Sequence, residues 1–270
     1  MKAVMSLPEL VKEGFPKAML REIAKSEDFP EVGFRTEKKR FSDLFLHWKI
    51  RKVFRKENNM AIPVLIIGKS GSGKSTSMRN CVDDPNWNLI SVLGKPLPFR
   101  GKIPQVVSDD YRTIMASLSK STARSIVIDD AGYLITNMFM KEHSSTGGGN
   151  AVFAFYNKIA DHFWNLIEFI RRLPDDWIIY VMMHEEQSDF GDIKPKTLGK
   201  LLDEKVCVEG MFTIVLRSIE ENGKYYFITQ MKDGAVSKSP VGMFEDVKID
   251  NDLKMVDDII RKYYEIEVTE

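Results

Sequence analysis

Hydrophobic and polar positions change period several times along the chain, and each change marks an element. From Phe41, apolar residues fall at i, i+3, i+4 and i+7 (Phe41, Leu44, Phe45, Trp48), one face of a helix whose other faces carry Lys49, Arg51, Lys52, Arg55 and Lys56. Glu57-Asn58-Asn59 closes that segment. AIPVLIIG, Ala61 to Gly68, is then a short unbroken apolar run, the pattern of a strand buried on both faces of a parallel sheet. A helix is predicted from Lys74 to about Cys81, followed by NWNLISVL as a second strand. Prolines and glycines between Gly94 and Pro104 break the next stretch into a loop or an edge excursion. Asp109 to Lys120 reads as a helix with Asp109 or Ser108 as N-cap. SIVIDD is a third buried strand ending in two carboxylates, and KEHSSTGGGN has the composition of a mobile loop.

Val152, Tyr156, Ile159, Phe163, Ile167 and Ile170 keep helical spacing up to the stop at Leu173-Pro174. WIIYVMMHEE is a fourth strand with a polar end. MFTIVLRS and KYYFITQ flank Asn222-Gly223, a hairpin signal. Leu253, Val256, Ile260 and Tyr263 mark one face of a closing helix. Strands alternating with helices before a hairpin predict a three-layer α/β domain with a mostly parallel sheet. The predicted division is a helical, partly basic extension over 1–59 and a core over 60–270.

Composition excludes several classes. At 43% hydrophobic and 29% charged, the 270-residue chain is too apolar for a disordered protein. No run approaches the ~20 apolar residues of a membrane span, and the charged LPELVKEGFPK after Met1–Ser6 predicts no secretory leader. Two isolated cysteines, Cys81 and Cys207, both in apolar context, make neither a disulfide framework nor a zinc site, so a reducing, cytoplasmic setting is expected. The 39 basic and 39 acidic residues cancel, but unevenly. Residues 34–57 hold nine Lys/Arg against three Asp/Glu, or +6, and residues 245–270 hold four against nine, or −5. Such a basic segment suits nucleic acid or a neighbour's acidic tail, and equally a solvated helix face.

The chemistry concentrates in Gly68-Lys69-Ser70-Gly71-Ser72-Gly73-Lys74-Ser75-Thr76, which matches G-x-x-x-x-G-K-[ST] between a predicted strand and a predicted helix. Glycines let the backbone wrap closely, so that N–H groups converge on phosphate oxygens. Lys74 would reach the terminal phosphates of ATP, and the Ser75 hydroxyl would bind Mg2+. The carboxylates of SIVIDD then fall at the carboxyl end of a strand, where α/β sheets bind ligands. Asp129 is the expected Mg2+ partner, and Asp130 the candidate for orienting or deprotonating an attacking water. His184, closing the fourth strand, is a candidate sensor of the γ-phosphate. Glu185 and Glu186 read as solvated loop acids, one of which could position water. Lys194, Lys196, Lys200, Lys205, Lys232 and Lys238 could contact DNA or a neighbour's phosphate. Trp48, Trp87, Trp164 and Trp177 read as core.

GKSGSGKST, IVIDD, HFWNLIEFIRRLPDDWIIYVMMHEE, KPKTLGKLLDEK and FITQMKDGAVSKSPVGMF together resemble bacteriophage RecA-type P-loop ATPases of the recombination and replication group, over roughly residues 61–244. The histidine ending the fourth strand, the K-T-x-G-K loop and the late K-S-P-x-G-M-F are the more specific parts. The resemblance implies a RecA-like P-loop NTPase fold with a C-terminal hairpin and helix. It also implies ATP and Mg2+ at Gly68–Thr76 and Asp129, and His184 in the sensor position. Implied partners are further copies of the chain, single-stranded DNA and a single-strand-binding or recombination protein, in the cytoplasm of a bacterial host. SVLGKPLPF offers no glutamate where such enzymes carry their base, leaving the base open between Asp130 and Glu185. An ATP-binding switch with little hydrolysis is one alternative. A small-molecule kinase is another, although KEHSSTGGGN lacks the arginines of a phosphate lid.

Overall fold

The computed structural model describes residues 60–188, 191–198, 206–232 and 234–266, together with the backbone of Val4–Met5 and Thr36–Glu37. The chain divides into two compact units, Met1–Asn59 and Met60–Glu270. In the first, Val4–Met5 and Thr36–Glu37 pair antiparallel. The helix expected from Phe41, with Trp48 and its basic faces, lies outside the described residues.

The second unit is a mixed α/β fold around a mostly parallel sheet. Its strands are β1 (Ile62–Gly68), β2 (Trp87–Ser91), β3 (Gln105–Val107), β4 (Ser125–Asp129), β5 (Ile178–Gln187), β6 (Ile193–Pro195), β7 (Ile214–Glu221), β8 (Lys224–Ile228) and β9 (Lys248–Asp250). Their spatial order is β9-β8-β7-β1-β5-β4-β2-β3, with β6 antiparallel to the end of β5. Along that order the pairs from β7 across to β3 are parallel, and those of the β7–β8–β9 side are antiparallel. From β1 the chain crosses three places to β2, returns through β4 and β5, then passes β1 to reach β7. That reversal is a topological switch point, so the crevice at the carboxyl end of β1 is the favoured ligand position.

The helices are α1 (Tyr111–Lys120), α2 (Gly132–Glu142), α3 (Asn150–Arg171) and α4 (Leu253–Tyr263). Side chains along the buried strands alternate between two apolar clusters. Leu65, Ile67, Ile126, Ile128, Val181 and Met183 pack with α1, α2 and α3 on one face. Val64, Ile66, Val127, Tyr180 and Met182 pack with Met78, Leu253, Val256 and Ile260 on the other. The arrangement is compatible with three layers. Asn222 (φ +54°) and Gly223 (φ +76°) are both left-handed at the β7–β8 turn, the conformation that an Asn-Gly hairpin requires.

Several expectations need correction. The segment after Lys74 is a 3-10 helix, Ser75–Cys81, rather than an α-helix. Asp110, not Asp109 or Ser108, caps α1, its carboxylate accepting from the Thr113 N–H at 2.8 Å. Asp109 instead binds Asn137 and Lys141 on α2. Val152 of α3 is exposed and Phe155 takes the buried position. Trp87 is core, Trp177 packs partly buried against the cluster on the opposite face of the sheet, and Trp164 faces solvent at 42% exposure. Cys207 is exposed despite its apolar neighbours.

A buried polar cluster joins α4 to the amino ends of the central strands. The Asp257 carboxylate accepts from Ser125 Oγ (2.8 Å), Tyr180 OH (2.8 Å) and Arg261 Nε (2.6 Å). Arg261 also donates to Ser125 Oγ and to the Asp176 carbonyl. At the other end of α4, Asp252 accepts from Asn80 at 2.6 Å and Lys254 pairs with Asp84 at 2.7 Å, tying the helix to the segment after Lys74. Among the described residues, no helix is long and apolar enough to cross a membrane.

Candidate functional site

The carboxyl ends of four strands converge. Gly68 of β1 stands opposite His184 of β5, Ser91 of β2 opposite Asp129 of β4, and the Ala131 N–H reaches the Met182 carbonyl at 2.8 Å. The loop leaving β1 is tightly held. Gly71 (φ +78°) and Gly73 (φ +95°) adopt left-handed backbone that a side chain resists. A Cβ on Gly73 would lie 2.7 Å from the Tyr225 ring of β8, and one on Gly68 would lie 2.4 Å from Ser72 Oγ. Ser218 Oγ of β7 donates to the Ser72 carbonyl at 2.7 Å. The hairpin therefore braces the loop from one side. Lys69, Ser70 and Gly71 are exposed at its tip, while Ser72, Gly73 and Lys74 are buried at its base and Ser75 and Thr76 half-buried.

Lys74 Nζ spans the loop, donating to the carbonyls of Gly68 (2.8 Å) and Lys69 (2.9 Å). Burial pulls its pKa down, against the opposing charges of Asp129, Asp130 and Glu185. Next in sequence, Ser75 Oγ donates to Asp129 Oδ2 at 2.8 Å, a contact across 54 residues. Burial, with the negative charge of Asp130 beside it, raises the Asp129 pKa, while hydrogen bonds from Ser75 and the Asp130 N–H at 3.0 Å oppose the rise. A hydroxyl and a carboxylate in contact suit a hard divalent cation that keeps several water ligands, such as Mg2+. Among the described residues there is no group of three or more His, Cys, Asp or Glu side chains able to hold a metal by itself. Ser75 and Asp129 thus fit an ion completed by water and phosphate oxygens, not a closed protein cage.

Asp130 has φ +59°, unusual for a residue with a side chain. Its carboxylate lies 3.5 Å from His184 Nε2 through Oδ1 and 2.8 Å from Lys95 Nζ through Oδ2. Burial alone would raise its pKa, but the hydrogen bonds to His184 and Lys95 outweigh that and the carboxyl titrates below its usual range. Tyr133, at the start of α2, lies edge-on to His184 with centroids 5.9 Å apart and under Lys95 Nζ at 5.5 Å.

Glu185 is no solvated loop acid. It belongs to β5, its side chain is 3% exposed, and Arg217 Nε and Nη2 grip it at 2.8 and 2.9 Å. Glu186 stands opposite Lys194 in the β5–β6 pair, with 3.5 Å between their charged groups. The two lysine-bearing stretches meet: the Ile193 N–H donates to the Gly234 carbonyl (3.0 Å) and the Val236 N–H to the Ile193 carbonyl (3.3 Å). Lys196 and Lys232 are exposed there, Lys194 and Lys238 half-buried. The Lys196 N–H also reaches the His184 carbonyl at 2.7 Å. Lys200 and Lys205 lie outside the described residues.

Lys95, Tyr133, Ser218 and Tyr225 had no signal in the sequence reading. Lys95 follows a glycine after the second strand, but only the placement of β4 beside β2 shows that it faces Asp130. In comparisons with known proteins, no family model matches the chain and no curated protein does.

Proposed function

We propose that the chain is a Mg2+-dependent ATP-binding protein and ATPase with a RecA-like P-loop fold. The observation that carries this reading is the Ser75–Asp129 contact at 2.8 Å beside a loop spanned by Lys74. In that reading, backbone N–H groups from Gly71 to Lys74 surround the β-phosphate, because left-handed glycines turn successive N–H groups to one side. Lys74 exchanges two carbonyls for phosphate oxygens. Ser75 and Asp129 would hold Mg2+, which when bound neutralises charge on the β and γ phosphates. Asp130, ionised and set at the strand end, accepts a proton from the attacking water. His184, in contact with Asp130 and level with Gly68, senses the γ-phosphate.

A switch that binds ATP and hydrolyses it slowly is the second reading. It is favoured by the pairing of both candidate bases, Glu185 with Arg217 and Asp130 with Lys95 and His184. Action on single-stranded DNA in phage recombination or replication, in an oligomer of this chain, follows from the sequence resemblance. The joined loops of Lys194, Lys196, Lys232 and Lys238 offer cations for that contact.

Phosphate release from Mg2+-ATP, measured with and without single-stranded DNA, tests the proposal. We expect release that DNA stimulates severalfold. Tight ATP retention without DNA-stimulated release would select the switch, and neither binding nor release would reject both readings.

A further inference from the structure

We propose that Lys95 is a positioning residue for the reaction, one that fixes the Asp130 carboxylate facing the phosphate site. The inference rests on the reading of Asp130 as the group that handles the attacking water. Asp130 sits in left-handed backbone (φ +59°), a conformation that residues with a side chain seldom adopt and that persists where the surrounding structure holds it. Each carboxylate oxygen has its own partner, Oδ1 towards His184 Nε2 and Oδ2 to Lys95 Nζ. With both oxygens engaged, the carboxylate plane is set from two sides.

The chain delivers Lys95 there by construction. The Ser91 hydroxyl at the end of β2 accepts the Gly94 N–H at 3.0 Å, closing a turn directly after the strand. Gly94 has φ +65°, and a Cβ on it would come 2.9 Å from Val107 Cγ1 of β3. Only glycine fits this turn without displacement, and the turn places the next residue over the Tyr133 ring and onto Asp130. An ordinary surface ion pair contributes little to stability and needs no such support. Lys95 is itself 57% exposed whereas Asp130 is 12% exposed, so the lysine reaches inward to a carboxylate that is mostly enclosed.

The test compares wild type, Lys95→Met and Lys95→Arg in three measurements: ADP affinity, affinity for ADP with Mg2+ and aluminium fluoride as a mimic of the transferring phosphoryl group, and kcat and KM for ATP. We expect Lys95→Met to keep ADP affinity and KM within about twofold of wild type. It should lose at least about tenfold in kcat and in aluminium fluoride complex stability, since small displacements of a catalytic group are costly. Lys95→Arg, which keeps a charged donor, should recover most of both. Wild-type values throughout for Lys95→Met would overturn the proposal and leave the ATPase reading standing. Equal loss of ADP affinity in Lys95→Met would make Lys95 a binding or folding residue and also overturn it. Failure of the wild type to form the aluminium fluoride complex or turn over ATP would reject the reading of Asp130, and this proposal with it.

Discussion

Lys74→Ala is expected to abolish ATP turnover and weaken ATP binding at least about tenfold. A charge-assisted hydrogen bond contributes on the order of 1.5–3 kcal/mol, and about 1.4 kcal/mol is a factor of ten. Two consequences of the geometry sharpen the expectation. Lys74 is 6% exposed and donates to two carbonyls of its own loop, acceptors that phosphate oxygens can replace. Removing it also deletes the bridge between the Gly68 and Lys69 carbonyls and leaves the acidic group of Asp129, Asp130 and Glu185 with less compensation. Circular dichroism and thermal unfolding should show a folded variant. Phosphate release with equilibrium binding then reads the effect, and wild-type turnover would remove the site assignment.

Asp257→Ala is expected to be the most damaging single change to the fold among those considered, at about 3–5 kcal/mol, the range for breaking a buried pair by removing one partner. Asp257 and Arg261 are 6% and 8% exposed, and the variant strands the guanidinium with only neutral acceptors. Ser125 and Tyr180 lose their acceptor in the same step. Because that cluster binds α4 to the amino ends of β4 and β5, the loss should appear in global urea unfolding and not only as fraying of the C-terminal helix. Glu142→Ala, which removes an exposed partner of Lys158, should leave the urea midpoint unchanged and serves as the control.

The sequence pattern revealed most in unbroken apolar runs too short for a helix and in sustained helical spacing. IPVLIIG, SIVID and IIYVMM have the length and composition of buried strands, and α3 keeps its buried face at helical spacing from Phe155 to Ile170. Short edge elements escaped. Gln105–Val107 and Lys248–Asp250 have three residues each, too few for a period, and exist because neighbouring strands offer hydrogen bonds. α2 went unnoticed because its apolar residues are spread around the helix, with only Leu134 and Ile135 buried. Of the site, the loop and Ser75 were legible because a fixed local spacing carries them, and Asp129 because it closes a buried strand. Lys95, Tyr133 and Arg217 were not, since their roles come from the strand order, which inserts β5 between β1 and β4 and sets β2 beside β4. Glu185 shows the same limit. Its place after a histidine at a strand end suggested a loop, and only the pairing of β6 with β5 extends the strand through it.

Equilibrium binding of adenosine, AMP, ADP and ATP to the wild-type protein, with and without Mg2+, bears most directly on the central claim that residues 68–76 form a phosphate-binding loop. The account predicts that affinity rises with the phosphate tail, steeply at the β-phosphate. It also predicts that Mg2+ strengthens ADP and ATP binding through Ser75 and Asp129. Affinity indifferent to the tail and to Mg2+, or no nucleotide binding at all, would contradict it.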